Sequence, residues 1–478
     1  MKLIFDVSDK PKAGQLVVFA LQQMLAILAA TIAVPLIIGN GLTPAAAMFG
    51  AGVGTIVYIL FTKRKSPVFL GSSFAFLGSM AAAFAGGVSM QLGMLGLIIG
   101  ALLAGLVYVV IAIVVKFVGV GWLNKLMPAV VIGPTVAIIG LSLAGNAIGD
   151  LIKGDVTKQV TEYVVSTDSG TPEIIETVSN VPVGSSYVAL VCGLITLAVV
   201  MLCSAYGKKT LRLIPFIIGI LAGYAAAAIF TVIGNICDID ALKIVDLSVF
   251  SSYMLTDGSI SLKTFVSLPD FAFVSGLEGL KEFDFSYFAT IFVAYVPVAL
   301  VVFAEHVADH KNLSSIIDHD LLEEPGLTRT LLGDGVGSIA GALFGGCPNT
   351  TYGESVACVA ITGNASVITI FAAAIGCMLF SFITPLVAFV DSIPACVMGG
   401  VCIALYGFIA VSGLKMIQDV NLDDNRNLFV VSVILIAGIG GLTLTFGDIT
   451  LTEVAAALIL GILTNVMLSK KKGNADKK

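Results

Sequence analysis

Charged residues are scarce in this sequence. Asp, Glu, Lys and Arg make up 12% of its 478 residues, where a soluble domain carries about 25%. Hydrophobic residues make up 58%, and the mean hydropathy is +1.04. The scarcity excludes an ordinary soluble domain and predicts an all-α polytopic membrane protein whose surroundings are a lipid bilayer. The net charge of −6 leaves no basic excess, so we expect no nucleic acid among its partners.

Cysteine pairs and histidines are scarce as well. None of the eight Cys lies in a CxxC pair and most occur in apolar runs, so we expect unpaired, non-catalytic thiols. The segment HVADH (306–310) resembles the inverted H-x-x-E-H metallopeptidase pattern, with Asp in place of Glu. No further His lies in a span to complete such a site. We therefore predict no metal, no cofactor and no enzyme, with an intramembrane metal hydrolase as a distant alternative and a channel as another class.

Apolar runs are abundant. A span needs about 20 mostly apolar residues, and the chain offers fourteen candidates between residues 15 and 468. The N-terminus lacks the features of a signal peptide, so we expect the first span to direct insertion. Lys and Arg concentrate in cytoplasmic loops. They cluster at the N-terminus and after spans two, four, six, eight, twelve and fourteen, at Lys63, Arg64, Lys65, Lys116, Lys125, Lys208, Lys209, Arg212, Lys311, Arg329, Lys415, Arg426 and Lys470 to Lys472. We predict a multi-pass protein of the cytoplasmic membrane with both termini cytoplasmic and the acidic loops 147–186 and 236–286 outside.

Two of the predicted spans are broken. The tenth, within GGCPNTTYGESVACVAITG (345–363), begins with residues that disfavour helix, including Pro348 and Asn349. The third contains PVFLGSSFAFLGSM (67–80), in which small residues up to Ser73 let the backbone approach a ligand and Phe74 offers an aromatic ring. Each broken span holds the same place in its half of seven spans. Interrupted spans at matching places in inverted halves point to a transport site, and close helix packing is the alternative for the third span.

Intramembrane carboxylates and amides are the candidate functional groups. Glu354 follows the tenth break, beside Gly353. Glu305 ends a long apolar run, with Asp309 one turn later on the same face. Gln22 and Gln23 lie in the first span and are possible site-lining residues. We interpret Asp334 as a partner of Arg329, Glu453 as interfacial, and the His306–His310 pair as polar residues of the cytoplasmic end.

Four segments together resemble the nucleobase–cation symporter-2 family, also called nucleobase–ascorbate transporters, and within it the bacterial uracil permeases. They are VFLGSSFAFLG, VVFAEHVADH, DLLEEPGLTRTLLGDG and PNTTYGES, and the resemblance covers about residues 15–468. It implies fourteen spans in two inverted seven-span repeats, short strands in spans three and ten, a core domain, a gate domain and a homodimer. The implied division is a cytoplasmic N-terminus (1–14), core (15–126), gate (127–234), extracellular loop (235–286), core (287–389), gate (390–468) and cytoplasmic tail (469–478).

The resemblance also implies roles for individual residues. Glu305 and Glu354 match the family's carboxylates of spans eight and ten, Gly353 the residue that offers a backbone amide, and Phe74 the span-three residue that meets the base. Asp309 stands where uracil permeases have His. Ser355 and Ala357 replace Asn and Gly of the family signature. Ser73, Tyr352 and Ser355 are further possible site-lining residues.

Together with the resemblance, these residues predict a carrier that imports a nucleobase by proton symport. Uracil is the predicted substrate. Uracil presents N–H donors and carbonyl acceptors, which carboxylates and backbone amides match. Burial and a neighbouring like charge favour the protonated form of a carboxyl group, so Glu305 with Asp309 is the predicted proton site and Glu354 the main substrate ligand. A xanthine or urate permease of the same family is the alternative, and sodium is the rival ion.

Overall fold

The structure is a computed structural model that describes residues 3–119, 128–166, 173–208, 210–254, 259–418, 420–446 and 449–469. The chain is mainly helical in these ranges. Its α-helices are α1 (Ala13–Ile38), α2 (Pro44–Phe61), α3 (Leu77–Ala83), α4 (Met90–Val118), α5 (Ala129–Ser142), α6 (Ala144–Leu151), α7 (Ser186–Tyr206), α8 (Thr210–Leu213), α9 (Pro215–Cys237), α10 (Ser248–Met254), α11 (Ala272–Glu278), α12 (Phe285–Ile317), α13 (Leu327–Gly345), α14 (Gly353–Thr362), α15 (Val367–Phe380), α16 (Thr384–Asp391), α17 (Ala395–Met416), α18 (Asn425–Ile439) and α19 (Glu453–Ser469). The strands are β1 (Leu70–Ser72), β2 (Thr157–Ser166), β3 (Glu173–Pro182), β4 (Asn349–Thr351), β5 (Leu444–Phe446) and β6 (Ile449–Leu451).

Several helices are long and apolar enough to cross a bilayer. Within the described ranges there are eight: Ala13–Ile38, Pro44–Phe61, Met90–Val118, Ala129–Leu151, Ser186–Tyr206, Pro215–Cys237, Phe285–Ile317 and Ala395–Met416. Shorter apolar helices of 10–17 residues include α14, α15 and α18. The chain is therefore a multi-pass, mainly helical membrane protein, and the arrangement of fourteen spans in inverted repeats stays a prediction.

Some positions used to predict the orientation lie outside the described residues. These are Lys125, Lys209, the run Lys470 to Lys472, and most of the predicted cytoplasmic tail. The same holds for residues 167–172 of the first acidic loop and residues 255–258 of the second. The predicted orientation accordingly stays a prediction.

The chain forms two compact units. One comprises Met1–Leu143, Phe265–Val387 and Leu405–Lys478, and the other comprises Ala144–Thr264 and Ala388–Ala404. The second unit contains the antiparallel pair β2–β3, which runs in register from Thr157 opposite Pro182 to Ser166 opposite Glu173. The first unit contains every residue predicted for the substrate site.

Close helix packing in the first unit depends on glycine. A Cβ added at Gly50 of α2 would lie 2.4 Å from the backbone oxygen of Gly341 in α13, and neither backbone can move aside cheaply. Asn349 of β4 fits into the same contact, because its side-chain amide donates to the Gly50 carbonyl over 3.1 Å. Small residues thus bring two apolar helices together and hold β4 against them.

The two short strands β1 and β4 pair with each other inside this packing. They are antiparallel, with Leu70 opposite Thr351 and Ser72 opposite Asn349, and they lie in the stretches predicted as the third and tenth spans. All six strand residues are buried. Their backbone groups need partners because the surroundings are apolar. The ladder supplies some of these partners, and the Thr55 hydroxyl of α2 supplies others to Leu70.

Candidate functional site

Each of the paired strands leads directly into a helical segment. After β1 the chain enters a 3-10 turn at Phe74–Phe76 and then α3, and after β4 it enters α14 at Gly353. Two hydrogen bonds extend the ladder on either side, from the Ser73 N–H to the Pro348 carbonyl (2.9 Å) and from the Tyr352 N–H to the Phe69 carbonyl (3.2 Å). The pairing therefore places the start of α14 close to the residues around Phe74.

The start of α14 faces open space. Gly353 is exposed although the residues before it are buried, and Glu354 is half-buried. A Cβ added at Gly353 would come within 4 Å of one atom only, Oδ1 of Asp309, at 3.9 Å. The N–H groups of the first helical turn have no acceptor within the helix. This end of α14 therefore offers backbone donors beside a carboxylate.

Helix α12 brings two further carboxylates to the same place. Glu305 and Asp309 are both half-buried. The Thr351 hydroxyl of β4 donates to Oδ2 of Asp309 over 2.6 Å. Glu305 is close enough to Asp309 and Glu354 for their charges to interact. The predicted acids of spans eight and ten thus lie near one another.

Aromatic rings line the β1 side. Phe74 is buried, and its ring meets that of Tyr406 of α17 edge to face, with centroids 5.9 Å apart. Tyr352 covers Gly71, where an added Cβ would lie 2.4 Å from the Tyr352 ring, and its hydroxyl donates to the Ser72 carbonyl (2.8 Å). Tyr352 therefore fixes β1, while Phe74 and Tyr406 supply ring surface. Tyr406 and Thr351 carried no signal in the sequence that marked them as site residues.

The predicted polar residues of the first span have separate roles. The amide of Gln23 donates to the Ser355 hydroxyl, which also accepts the Phe69 N–H over 3.1 Å. Ser355 and Gln23 are both buried. Gln22 differs, because its buried Oε1 has no hydrogen-bond partner among the described residues, and the same holds for Oγ of Ser73. Gln23 and Ser355 thus join the first and tenth spans, while Gln22 and Ser73 retain unused polar atoms.

Asp334 and the two His of α12 are buried and have partners that the sequence did not predict. Asp334 is fully buried and bonds to Nδ1 of His306 (2.7 Å), so the predicted pairing with Arg329 is wrong. His306 and His310 are also fully buried, so they are not solvated polar residues, and their place at the cytoplasmic end stays a prediction. The reason is tertiary, since α13 and α2 supply polar partners that the sequence pattern does not show.

Those partners also bear on the metal alternative. His306 uses both ring nitrogens, on Asp334 and on the Thr330 hydroxyl (3.0 Å). His310 uses both as well, on the His306 carbonyl (2.7 Å) and on the Tyr58 hydroxyl (2.6 Å). All four nitrogens are engaged, so the pair has none left to bind a metal without breaking this network.

Similarity to known proteins extends over almost the whole chain. Residues 14–446 match the Permease family. The chain is 36% identical over 478 residues to a uracil permease of Bacillus caldolyticus, covering 99% of this chain and 97% of that protein. It is 33% identical over 458 residues to a uracil permease of Escherichia coli K12, covering 95% of this chain and 92% of that protein.

The fold is similar to that of solved membrane transporters. The transmembrane domain of the cyanobacterial bicarbonate transporter BicA matches with a TM-score of 0.59 at 13% identity, covering 96% of this chain and all of that one. The murine anion transporter Slc26a9, in its inward-facing state, matches with a TM-score of 0.59 at 11% identity, covering 96% of this chain and 69% of that one. At these identities the likeness concerns the fold alone.

Proposed function

The chain belongs to the Permease family and is a transporter rather than an enzyme, and from this premise we propose that it imports uracil by proton symport. The proposal follows the relatives that are uracil permeases. The observation that carries it is the convergence of Glu305, Glu354 and the exposed start of α14 at Gly353.

The chemistry of this convergence suits a flat base with alternating donors and acceptors. The carboxylates of Glu354 and Glu305 can accept from the ring N–H groups of uracil. The backbone N–H of Gly353 can donate to a ring carbonyl, and the helix end favours the partial negative charge of that oxygen. Phe74 and Tyr406 supply aromatic surface on the β1 side. Glu354 is the main ligand in this arrangement, since it begins the helix that offers the donors.

The co-transported proton has a place beside the substrate. Glu305 and Asp309 lie one helical turn apart in a half-buried site, with Glu354 near both. Three charged carboxylates in one partly dry space repel one another and lose hydration. A proton shared by the Glu305–Asp309 pair reduces that cost and neutralises a site that must change its exposure across the membrane.

The wider architecture belongs to the same proposal. We place fourteen spans in two inverted repeats, with core and gate domains, two cytoplasmic termini, a cytoplasmic membrane location and a homodimeric assembly. The antiparallel pairing of β1 with β4 supports the repeat, because each strand stands at the same place in its half and leads into a short helical segment.

Uptake of radiolabelled uracil in a permease-deficient strain tests the proposal. The native chain should restore saturable uptake of radiolabelled uracil. Unlabelled uracil should inhibit this uptake more strongly than xanthine, urate or hypoxanthine does. Thr135→Ala is a matched control, because the buried Thr135 hydroxyl donates to the Val131 carbonyl of its own helix, α5, over 2.7 Å. Inhibition by xanthine at lower concentrations than by uracil would replace the proposed substrate with a purine.

A further inference from the structure

A second buried acid lies beside α12, separate from the substrate carboxylates. Asp334 of α13 and His306 of α12 are both fully buried and are joined by Oδ2 and Nδ1 at 2.7 Å. Nε2 of His306 lies 3.0 Å from the Thr330 hydroxyl oxygen. The transport site described above does not use this pair.

The directions of these hydrogen bonds determine how many protons the pair holds. The Thr330 hydroxyl donates its hydrogen to the Leu327 carbonyl (3.0 Å), so its oxygen accepts from His306 and Nε2 carries a hydrogen. One further hydrogen must lie between Nδ1 and Oδ2, because two bare acceptors would repel. The pair is then either a neutral acid with a neutral imidazole or a carboxylate with an imidazolium.

The second oxygen of Asp334 distinguishes these two forms. Oδ1 is buried and has no hydrogen-bond partner among the described residues. A buried carboxylate with a bare oxygen costs far more than the carbonyl oxygen of a neutral acid. We propose that Asp334 is a protonated acid that donates to neutral His306, and that this pair is a second proton-holding site that takes part in coupling. The coupling part rests on the proposed proton symport.

The pair is placed to influence the substrate site. Electrostatic interactions link Asp334 to Glu305 and Asp309 of α12, to Tyr58 of α2 and to Tyr108 of α4. His310 also lies against the pair, with its ring centroid 4.1 Å from that of His306.

His310 has a hydrogen-bond partner at each ring nitrogen. Nδ1 of His310 donates to the His306 carbonyl over 2.7 Å, and Nε2 lies 2.6 Å from the Tyr58 hydroxyl oxygen. We assign Nε2 as the acceptor of the Tyr58 hydroxyl hydrogen, which makes the ring neutral. Loss of the Asp334 proton would thus add a negative charge behind the substrate carboxylates and favour proton uptake there.

The imidazole nitrogens report directly on this assignment. The chain has three His, so a His319→Gln variant labelled with 15N at histidine and reconstituted in lipid shows two imidazoles. His306 should carry hydrogen at Nε2 and accept a hydrogen bond at Nδ1, whereas His310 should carry hydrogen at Nδ1. A His306 ring protonated at both nitrogens would overturn the neutral-acid assignment.

Transport assays test the coupling role. Asp334→Asn retains a donor toward Nδ1 of His306 but removes the exchangeable acid proton, and His306→Asn is a second variant that retains an acceptor for Asp334. In proteoliposomes, either variant should keep uracil exchange between equal concentrations and lose accumulation driven by a pH gradient. Thr135→Ala, which removes a buried hydroxyl bonded to the Val131 carbonyl of its own helix, should behave like the native chain.

The outcomes separate this inference from the proposed function. If a folded Asp334→Asn or His306→Asn variant accumulates uracil with the native pH profile, the pair has a packing role only and the inference fails. If the native chain itself shows no response to a pH gradient, the symport proposal and the coupling role fail together. The imidazole measurement then still decides where the proton of Asp334 lies.

Discussion

Gly353→Ala is the substitution that most cleanly separates binding from folding at this site. The added methyl group would meet only Oδ1 of Asp309 at 3.9 Å, which is ordinary contact. Ala is also a better helix former than Gly by up to about 1 kcal/mol. Thermal stability should therefore stay the same or rise slightly, while the methyl group enters the space proposed for the substrate.

The expected loss of affinity follows from overpacking. An extra methyl group in a filled space typically costs about 1–3 kcal/mol, which corresponds to about 5- to 150-fold in Kd. Uracil binding to purified protein in detergent, by calorimetry or by ligand-dependent thermal shift, measures this change. Gly14→Ala is the matched control, because Gly14 also lies in the first turn of a helix with nothing within 4 Å of the added Cβ.

A second control shows what a folding defect looks like. Gly50→Ala would place its methyl group 2.4 Å from the Gly341 carbonyl, so it should lower the melting temperature. If Gly353→Ala binds uracil with native affinity, the substrate does not lie against the start of α14, and the site described here is wrong.

The remaining predictions concern the carboxyl groups. Glu354→Gln should lose a charge-assisted hydrogen bond worth about 1.5–3 kcal/mol, seen as at least a tenfold rise in the Kd for uracil in the same binding assay. Glu305→Gln should keep uracil exchange in proteoliposomes but lose pH-driven accumulation, whereas Asp309→Asn should shift only the pH optimum of uptake; driven accumulation by Glu305→Gln would contradict this division. Burial raises the pKa of Asp155 to about 6, although the Ala395 N–H donates to it. Because the folded-state pKa is raised, the favourable contribution of the protonated form is present below about pH 4 and is lost as pH rises through 6. Asp155→Asn should therefore raise the melting temperature at pH 8 but not at pH 4, and equal effects at both values would refute this reasoning.

The sequence predicted the local breaks of the chain well. Pro348 and Asn349 interrupt an apolar run, and the structure has a strand there rather than a helix. Gly353 and Glu354 follow at once, so their place at a helix start could be inferred from neighbouring residues. A single sequence can therefore predict a structural feature whose cause lies in the neighbouring residues.

The sequence did not predict the contacts between residues that lie far apart along the chain. Asp334 was assigned to Arg329 because the two lie close in sequence, whereas its partner His306 is on another helix. Gln23 and Ser355 are 332 positions apart, and no periodicity indicates that they bond. Tyr406 resembles any other aromatic residue of an apolar helix until its ring is seen against Phe74. These features depend on which helix faces which, and helices of similar hydropathy leave that choice open.

Uracil uptake into proteoliposomes under an imposed pH gradient tests the proposed symport most directly. With the outside acidified and sodium replaced by choline, the native chain should accumulate uracil above its external concentration, and a protonophore should abolish the accumulation. Glu354→Gln should show little uptake under the same conditions. Uptake that requires sodium and is unaffected by the protonophore would contradict proton symport.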